Sequence, residues 1–248
     1  SDVAGRVAAV GPGVTRFRPG DEVYGDNLGL KGEFAQFALA PESVLAPKPE
    51  SLTFAQVSTL PQAGPIALQG TAGAGPGSRV LVNGAGGGSG SFAVQLAKAA
   101  GAHVTAVDNA GKLDFLRSLG ADAVADYRVD DFTRLGPFDL VLDLVAHRSV
   151  RDYRRALAPG GRYRAVGGSV STMLSLLTAG TVLGRATGRR LGVLAVKPGP
   201  EHFTPLEERC AAGEVRIHID RTFSLDEAPE ALAYVGDGRA LGKVVVVP

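Results

Sequence analysis

Five of the seven residues from Gly84 to Gly90 are glycine, within VLVNGAGGGSGSFAVQLAKAAGAHVTAVD (80–108). Glycine gives up the most backbone entropy on folding, so a cluster of this kind needs a mechanical cause. The run follows an apolar segment, RVLVN, and opens SGSFAVQLAKAAG, whose apolar residues recur at helical spacing. Ala85-x-Gly87-x-x-Gly90 is then a G-x-G-x-x-G turn with alanine in its first slot. A small residue at 85 permits the sharp strand-to-helix turn. Gly87 lets the backbone approach a diphosphate, and Gly90 lets the helix lie close against the strand. Unpaired N–H groups around Gly88 and Ser89, with the helix dipole behind them, would face the phosphates.

Asp108 ends the next apolar run, 18 residues after Gly90. A carboxylate there can accept hydrogen bonds from both ribose hydroxyls of an adenosine half, so the pair of features predicts a dinucleotide site. A packing-driven glycine turn, with Asp108 as a helix cap, is the plain alternative. The carboxylate would repel a 2′-phosphate, Lys112 would partly offset it, and Asn109 is neutral. The expected cofactor is therefore NAD(P)(H), with NAD(H) favoured. Tyr127, after the third strand, could lie beside the adenine or serve only as a half-buried strand-end aromatic. Leu144 and Val145 follow the fourth strand and are expected to line the nicotinamide ribose; Gly167 and Gly168 end the fifth and could admit backbone close to the nicotinamide. His147 is read as an exposed turn residue rather than a proton donor.

Stepping outward, strands and helices alternate from Arg79: HVTAVD, KLDFLRSLG, DAVAD, FDLVLDLV, SVRDYRRALAPGG and RYRAVGG. This grammar predicts an α/β fold with a doubly wound parallel sheet. Residues 1–60 read instead as short strands and turns, including VAGRVAAV, RPGDEV and the alternating GEFAQFALAP. The final fifty give a helix (TPLEERCAAGEV), a strand (RIHIDRTF), a helix with a Ser224-x-x-Glu227 capping signal, and the closing strand GKVVVVP. They are expected to return to the first part, making a discontinuous β domain of 1–62 and 199–248 around a dinucleotide domain of 63–198.

The 248 residues carry 26 Lys+Arg against 25 Asp+Glu, so no basic excess points to nucleic acid. The apolar window 167–184 is broken by Gly, Ser and Thr and is read as a helix with a mostly buried face, not a membrane span. The start SDVAGRVAAV lacks the pattern of a signal peptide. The single cysteine, Cys210, excludes an intramolecular disulfide framework and suits a reducing, cytoplasmic setting. It reads as a small core residue. His103, His202 and His218 are isolated, and Arg185, Arg189 and Arg190 form a surface cluster. Lys243 reads as a surface lysine.

The glycine loop through GADAVADY resembles the cofactor domain of the medium-chain dehydrogenase/reductase superfamily, most nearly its zinc-independent quinone oxidoreductase-like branch. SDVAGRVAAVGPGVTRFRPGDEVYG, GEFAQFALAPESVLAPKPESLTFAQVSTLPQAG, ALAPGGRYRAVGG and GRALGKVVVVP resemble it too, in order along nearly the whole chain. The resemblance implies a GroES-like β domain beside a Rossmann domain, often as a homodimer. The implied reaction is hydride transfer from NAD(P)H to a small molecule: a quinone, an activated alkene or a carbonyl, in the cleft between the domains. Zinc-dependent members place a histidine and an acid where this chain has Ser1-Asp2, and a cysteine near Gln62. Their four-cysteine lobe has a short, cysteine-free counterpart at 24–33. The resemblance therefore implies neither catalytic nor structural zinc, and it makes Gln62 the candidate catalytic hydrogen-bond donor. The family pattern extends upstream of residue 1, so the β domain is expected to be N-terminally incomplete. The segment LQGTAGAGPGSR is shorter than usual, and Gly-Gly-Ser-Gly (87–90) replaces Gly-Gly-Val-Gly, where the Ser89 hydroxyl could add a phosphate contact. Two other functions fit a glycine turn with a following acid: a dinucleotide-binding protein without turnover, and a methyltransferase using S-adenosylmethionine.

Overall fold

Strands with nearly continuous apolar runs need cover on both faces, and the centre of this chain supplies it. In the computed structural model, which describes residues 2–30 and 32–248, two units are distinct: Ser1–Pro65 with Lys197–Pro248, and Ile66–Val196. Along the chain, β1 (Asp2–Arg6), β2 (Glu22–Asp26), β3 (Leu45–Pro47) and α1 (Phe54–Val57) belong to the first unit. The division falls within α2 (Ala63–Thr71). The second unit continues with β4 (Arg79–Asn83), α3 (Gly88–Ala99), β5 (His103–Asp108), α4 (Leu113–Ser118), β6 (Ala123–Asp126) and β7 (Phe138–Asp143). It ends with α5 (Val150–Ala156), β8 (Leu157–Ala165), α6 (Val170–Ser175), α7 (Thr181–Ala186) and β9 (Arg190–Val193). The chain then returns to the first unit with α8 (Pro200–Ala211), β10 (Ile219–Ser224), α9 (Ala228–Gly236) and β11 (Lys243–Val247).

The second unit is a six-stranded parallel sheet in the order β6-β5-β4-β7-β8-β9. Leu81, Val107, Phe138, Val141, Leu157, Tyr163 and Leu191 form its core with Tyr153 and Leu176. The strand order reverses between β4 and β7. Connections leave in opposite directions there, opening a crevice beyond the carboxyl ends of those two strands. The glycine loop leaves β4 and Leu144–Val145 leave β7, so both face that crevice.

The first unit holds an antiparallel β1-β2-β3 sheet and a parallel β10-β11 pair. Tyr24, fully buried, lies 5.0 Å from the Phe203 ring of α8, and its hydroxyl donates to Glu207 Oε2 at 3.1 Å. The Ser224–Glu227 capping box is present and starts the short turn that leads into α9.

Three local expectations need correction. GEFAQFALAP forms no strand among its described residues, and Phe34, Phe37 and Leu39 are exposed. Alternation alone does not make a strand; the backbone needs a neighbour to pair with. In the 167–184 window the helical residues Val170, Leu174, Leu177 and Val182 are exposed, so that apolar face is not mostly buried. The helix of SVRDYRRALAPGG stops at Ala156, before its Pro-Gly-Gly, and 157–161 already belong to β8 through an irregularity in pairing with β7.

Candidate functional site

The glycine loop begins with Gly84, whose φ of +79° is a left-handed conformation that a side chain would strain. A Cβ there would also stand 3.3 Å from Leu144 Cβ, so the two loops of the crevice touch at this point. The Gly84 and Ala85 amides both donate to Val107 O, at 3.0 and 3.1 Å, which turns the chain away from β4. Ala85 is fully buried. Gly87 caps α3 with no side-chain hydrogen bond. The first amide to close an intrahelical bond is that of Ser91, onto Gly87 O at 2.9 Å. The amides of Gly88, Ser89 and Gly90 therefore precede the helical ladder, at the positive end of a 12-residue helix. Gly90 meets the backbone directly: a Cβ would drive into Gly84 O and reach 2.6 Å from Ala85 Cα.

Asp108 stands beneath this loop rather than open to the crevice. It is 7% exposed, and its Oδ2 accepts the Gly86 N–H at 2.8 Å. Its Oδ1 accepts from the Asn109 amide at 2.9 Å and the Asn109 side chain at 3.2 Å, with Lys112 Nζ at 3.6 Å. The expected carboxylate is in place, but its first task is to hold the loop. An ionised carboxylate offers about four acceptor sites, so a ribose hydroxyl would share it. Asn109 does more than stay neutral, since its Oδ1 also accepts the Gly111 amide at 3.1 Å. Lys112, 6% exposed, has its charge matched inside the protein. Gly86, a filler position in the motif, is constrained as well: a Cβ would come within 3.0 Å of Asp108 Oδ2.

Across the crevice, Val145 is exposed and Leu144 half-buried. Gly167 and Gly168 pass so close to this turn that a Cβ at either would strike the carbonyl of Leu144 or Ala146, and Gly168 has φ of +145°. Tyr127 is 44% exposed, with the Arg128 guanidinium over its ring, 5.8 Å from the centroid. His147 is exposed, with Nδ1 2.9 Å from Val145 O. Sequence reasoning missed the buried group between these loops. Asp143 accepts from Asn83 Nδ2 at 2.8 Å, the Val145 amide at 3.0 Å and Tyr163 Oη at 2.6 Å. The signal was an acid closing a strand directly after the apolar run Leu140–Leu142.

The Gln62 candidate lies in the first unit. Its side chain is exposed and its amide donates to Asp2 Oδ1 at 2.9 Å. Asp2 Oδ2 is 3.4 Å from Lys243 Nζ, so Lys243 is an ion-pair partner rather than a free surface lysine. Burial pushes the Asp2 carboxyl up, against the pull of Lys243. Ser1 lies outside the described residues. Among the described residues, no three His, Cys, Asp or Glu side chains gather as a metal site. An open hollow of about 830 Å³ in this unit is bordered by β1, β11, Phe34, Phe37 and Leu39. It lacks a glycine loop, so the chemistry points to the crevice instead. Cys210 is buried and burial pushes its thiol up to about 12, as befits a core residue. Arg189 donates to Leu157 O and Thr187 O, a structural role within the predicted basic cluster. No helix among the described residues is long and apolar enough to cross a membrane.

With this geometry in view, the comparisons decide the family. The pattern of the zinc-binding dehydrogenases matches residues 119–246, and that of the alcohol dehydrogenase GroES-like domain matches residues 1–50. The chain is 33% identical to a chloroplast envelope quinone oxidoreductase homolog of Arabidopsis thaliana, covering 100% of this chain and 79% of that protein.

This chain belongs to the medium-chain dehydrogenase/reductase superfamily, in its quinone oxidoreductase-like branch.

A second relative, 2-methylene-furan-3-one reductase of Solanum lycopersicum, is 35% identical over 100% of this chain and 62% of that protein. The structure of the quinone oxidoreductase from Coxiella burnetii superposes with a TM-score of 0.83 at 28% identity, over 99% of this chain and 77% of that one. Membership in this superfamily makes the chain an oxidoreductase of NAD(P)H type with a Rossmann-like parallel sheet and a small antiparallel one. It sets the methyltransferase alternative aside.

Proposed function

We propose that the chain carries hydride from a nicotinamide dinucleotide to an electron-poor carbon of a quinone, an enone or alkenal, or a carbonyl, without zinc. One observation carries this reading. Three amides ahead of the α3 ladder, Gly88 to Gly90, stand at the sheet's switch point, and beside them Gly87 leaves open space where a Cβ would meet nothing of the chain closer than Gly84 O at 3.6 Å. That cradle fits a diphosphate. The names of the relatives, a quinone oxidoreductase homolog and a furanone reductase, support the acceptor class.

When bound, the nicotinamide supplies the hydride. The chain's own residues do the rest. Gly87, Gly88 and Ser89 hold the diphosphate, with Ala85 allowing the turn. Asp108 fixes the loop through Gly86 and shares its carboxylate with the adenosine ribose. Tyr127 flanks the adenine, and Leu144, Val145, Gly167 and Gly168 border the nicotinamide half. Asp2 is engaged by Lys243 and by the Gln62 amide, a donor set that disfavours a metal, since an ammonium already neutralises the carboxylate. The exposed Gln62 side chain serves as a hydrogen-bond donor to charge developing on the substrate oxygen, and solvent supplies the proton. Assays of NADH and NADPH oxidation against quinones, enones and alkenals test the reading. Turnover without added metal supports it. Dinucleotide binding with no turnover across the panel would leave a binding protein instead.

The choice between NAD(H) and NADP(H) turns on the Asp108–Lys112 pair. The carboxylate alone favours NAD(H), and Lys112 moderates its repulsion of a 2′-phosphate. Lys112→Met is expected to weaken NADPH binding about five- to tenfold relative to NADH, on the order of 1 kcal/mol at intermediate dielectric. Paired fluorescence titrations read that ratio, and an unchanged ratio would remove Lys112 from the account.

A homodimer is also proposed. Among the described residues β9 ends the sheet with an unpaired edge, and Val170, Leu174, Leu177 and Val182 expose apolar surface in the same unit. Light scattering should return twice the chain mass; a single chain mass at micromolar concentration would refute it. The lone cysteine suits a reducing compartment such as the cytoplasm.

A further inference from the structure

The dinucleotide reading leaves one buried group without a task. Asp143 closes β7 and is fully buried, next to the core residues Val141, Tyr153 and Tyr163. A carboxylate in such a place is costly unless its acceptor sites are filled. Here three neutral donors take up most of them: Asn83 Nδ2, the Val145 amide and the Tyr163 hydroxyl. Burial still pushes the Asp143 carboxyl up, and those donors pull against the shift. Asn83 and Asp143 are paired neighbours at the ends of β4 and β7, so the carboxylate ties together the two strands that flank the crevice. Tyr163 brings in β8. Its ring stacks on Tyr153, with centroids 4.1 Å apart, and the Tyr153 hydroxyl accepts the Arg148 amide at 2.7 Å.

The consequence is local and specific. The turn leaving β7 is gripped at both ends by buried side chains, at the Val145 amide by Asp143 and at the Arg148 amide by Tyr153. The backbone adds two more ties, Leu144 N–H to Asn83 O at 3.0 Å and Ala146 N–H to Gly167 O at 2.9 Å. A short turn over-determined in this way presents a fixed surface toward the crevice.

We propose that Asp143 is a positioning residue for the nicotinamide half of the cofactor: its carboxylate, set by Asn83 and Tyr163, fixes the Leu144–Ala146 turn against which that half lies. The inference rests on the dinucleotide reading above, and Asp143 acts through Val145 without touching the cofactor. Asp143→Asn keeps the shape but removes the charge and turns one acceptor into a donor, so either the Tyr163 hydroxyl reverses from donor to acceptor or one of the three partners loses its bond. Tyr163→Phe keeps the ring stack and removes a single hydrogen bond.

The test compares NADH with ADP, which lacks the nicotinamide ribose, on the full chain by calorimetric titration. Asp143→Asn is expected to raise the NADH Kd about tenfold and leave the ADP Kd within about twofold. Tyr163→Phe should do the same at about threefold, and it carries the test should the first variant fail to fold. Equal weakening of both ligands in a folded variant, or no change in either, overturns the inference while leaving the cofactor reading standing. A wild-type chain that binds none of ADP, NADH and NADPH overturns the cofactor reading itself, and the inference with it.

Discussion

Gly87→Ala is expected to raise the NADPH or NADH Kd tenfold or more while leaving the fold intact. Gly87 has φ of −86° and ψ of −178°, an extended conformation open to any residue. A Cβ there meets nothing of the protein closer than Gly84 O at 3.6 Å, an ordinary contact. The folded chain therefore has no reason to resist the methyl group. Alanine is a poorer N-cap than glycine, which costs at most about 1 kcal/mol and a few degrees in Tm. The methyl group instead occupies the space above the loop, where a diphosphate must come close to the backbone. Losing that approach weakens binding by about 1.4 kcal/mol or more. Thermal melts and fluorescence titration of one preparation measure both quantities. An unchanged Kd would show that no ligand approaches the loop at Gly87.

Gly90→Ala should fail differently. Its Cβ would press on backbone atoms, Gly84 O together with Ala85 Cα and C at 2.6 and 2.7 Å. Backbone does not rotate aside as a flexible side chain does, so α3 must shift away from β4. Overpacking of this kind costs about 1–3 kcal/mol, and backbone neighbours put it toward the upper end. For a chain of this length that lowers Tm by roughly 5–10 °C. The shift also moves the Gly88–Gly90 amides, so affinity falls together with stability. The two variants thus separate the glycine the ligand needs from the one the fold needs. A Gly90→Ala protein with wild-type Tm would contradict the close approach of α3 to β4.

What was legible in the sequence was whatever repeats locally. The alternation from Arg79 to Ala165 marked the parallel sheet, and the spacing of Ala85, Gly87 and Gly90 marked a turn whose mechanics depend on adjacent residues. What escaped depends on partners far along the chain. Asn83 and Asp143 are 60 residues apart and meet only because β4 and β7 are neighbours in the sheet. Gly86 read as a spacer because its constraint comes from Asp108 and Lys112 beneath it. The inward turn of Asp108 was invisible for the same reason: an acid at a strand end can face a ligand or its own loop. GEFAQFALAP and the 167–184 window show the converse. Periodicity reports which residues share a face, while burial of that face requires a neighbour the pattern does not name.

The central claim is that the main-chain amides at the start of α3 receive the diphosphate. Amide-resolved NMR titration of the wild-type chain with ADP tests it most directly. The account predicts that the Gly88, Ser89 and Gly90 amide resonances shift furthest and saturate together, with Gly86 following through Asp108. Saturable binding that leaves those three amides unmoved while others shift would contradict it.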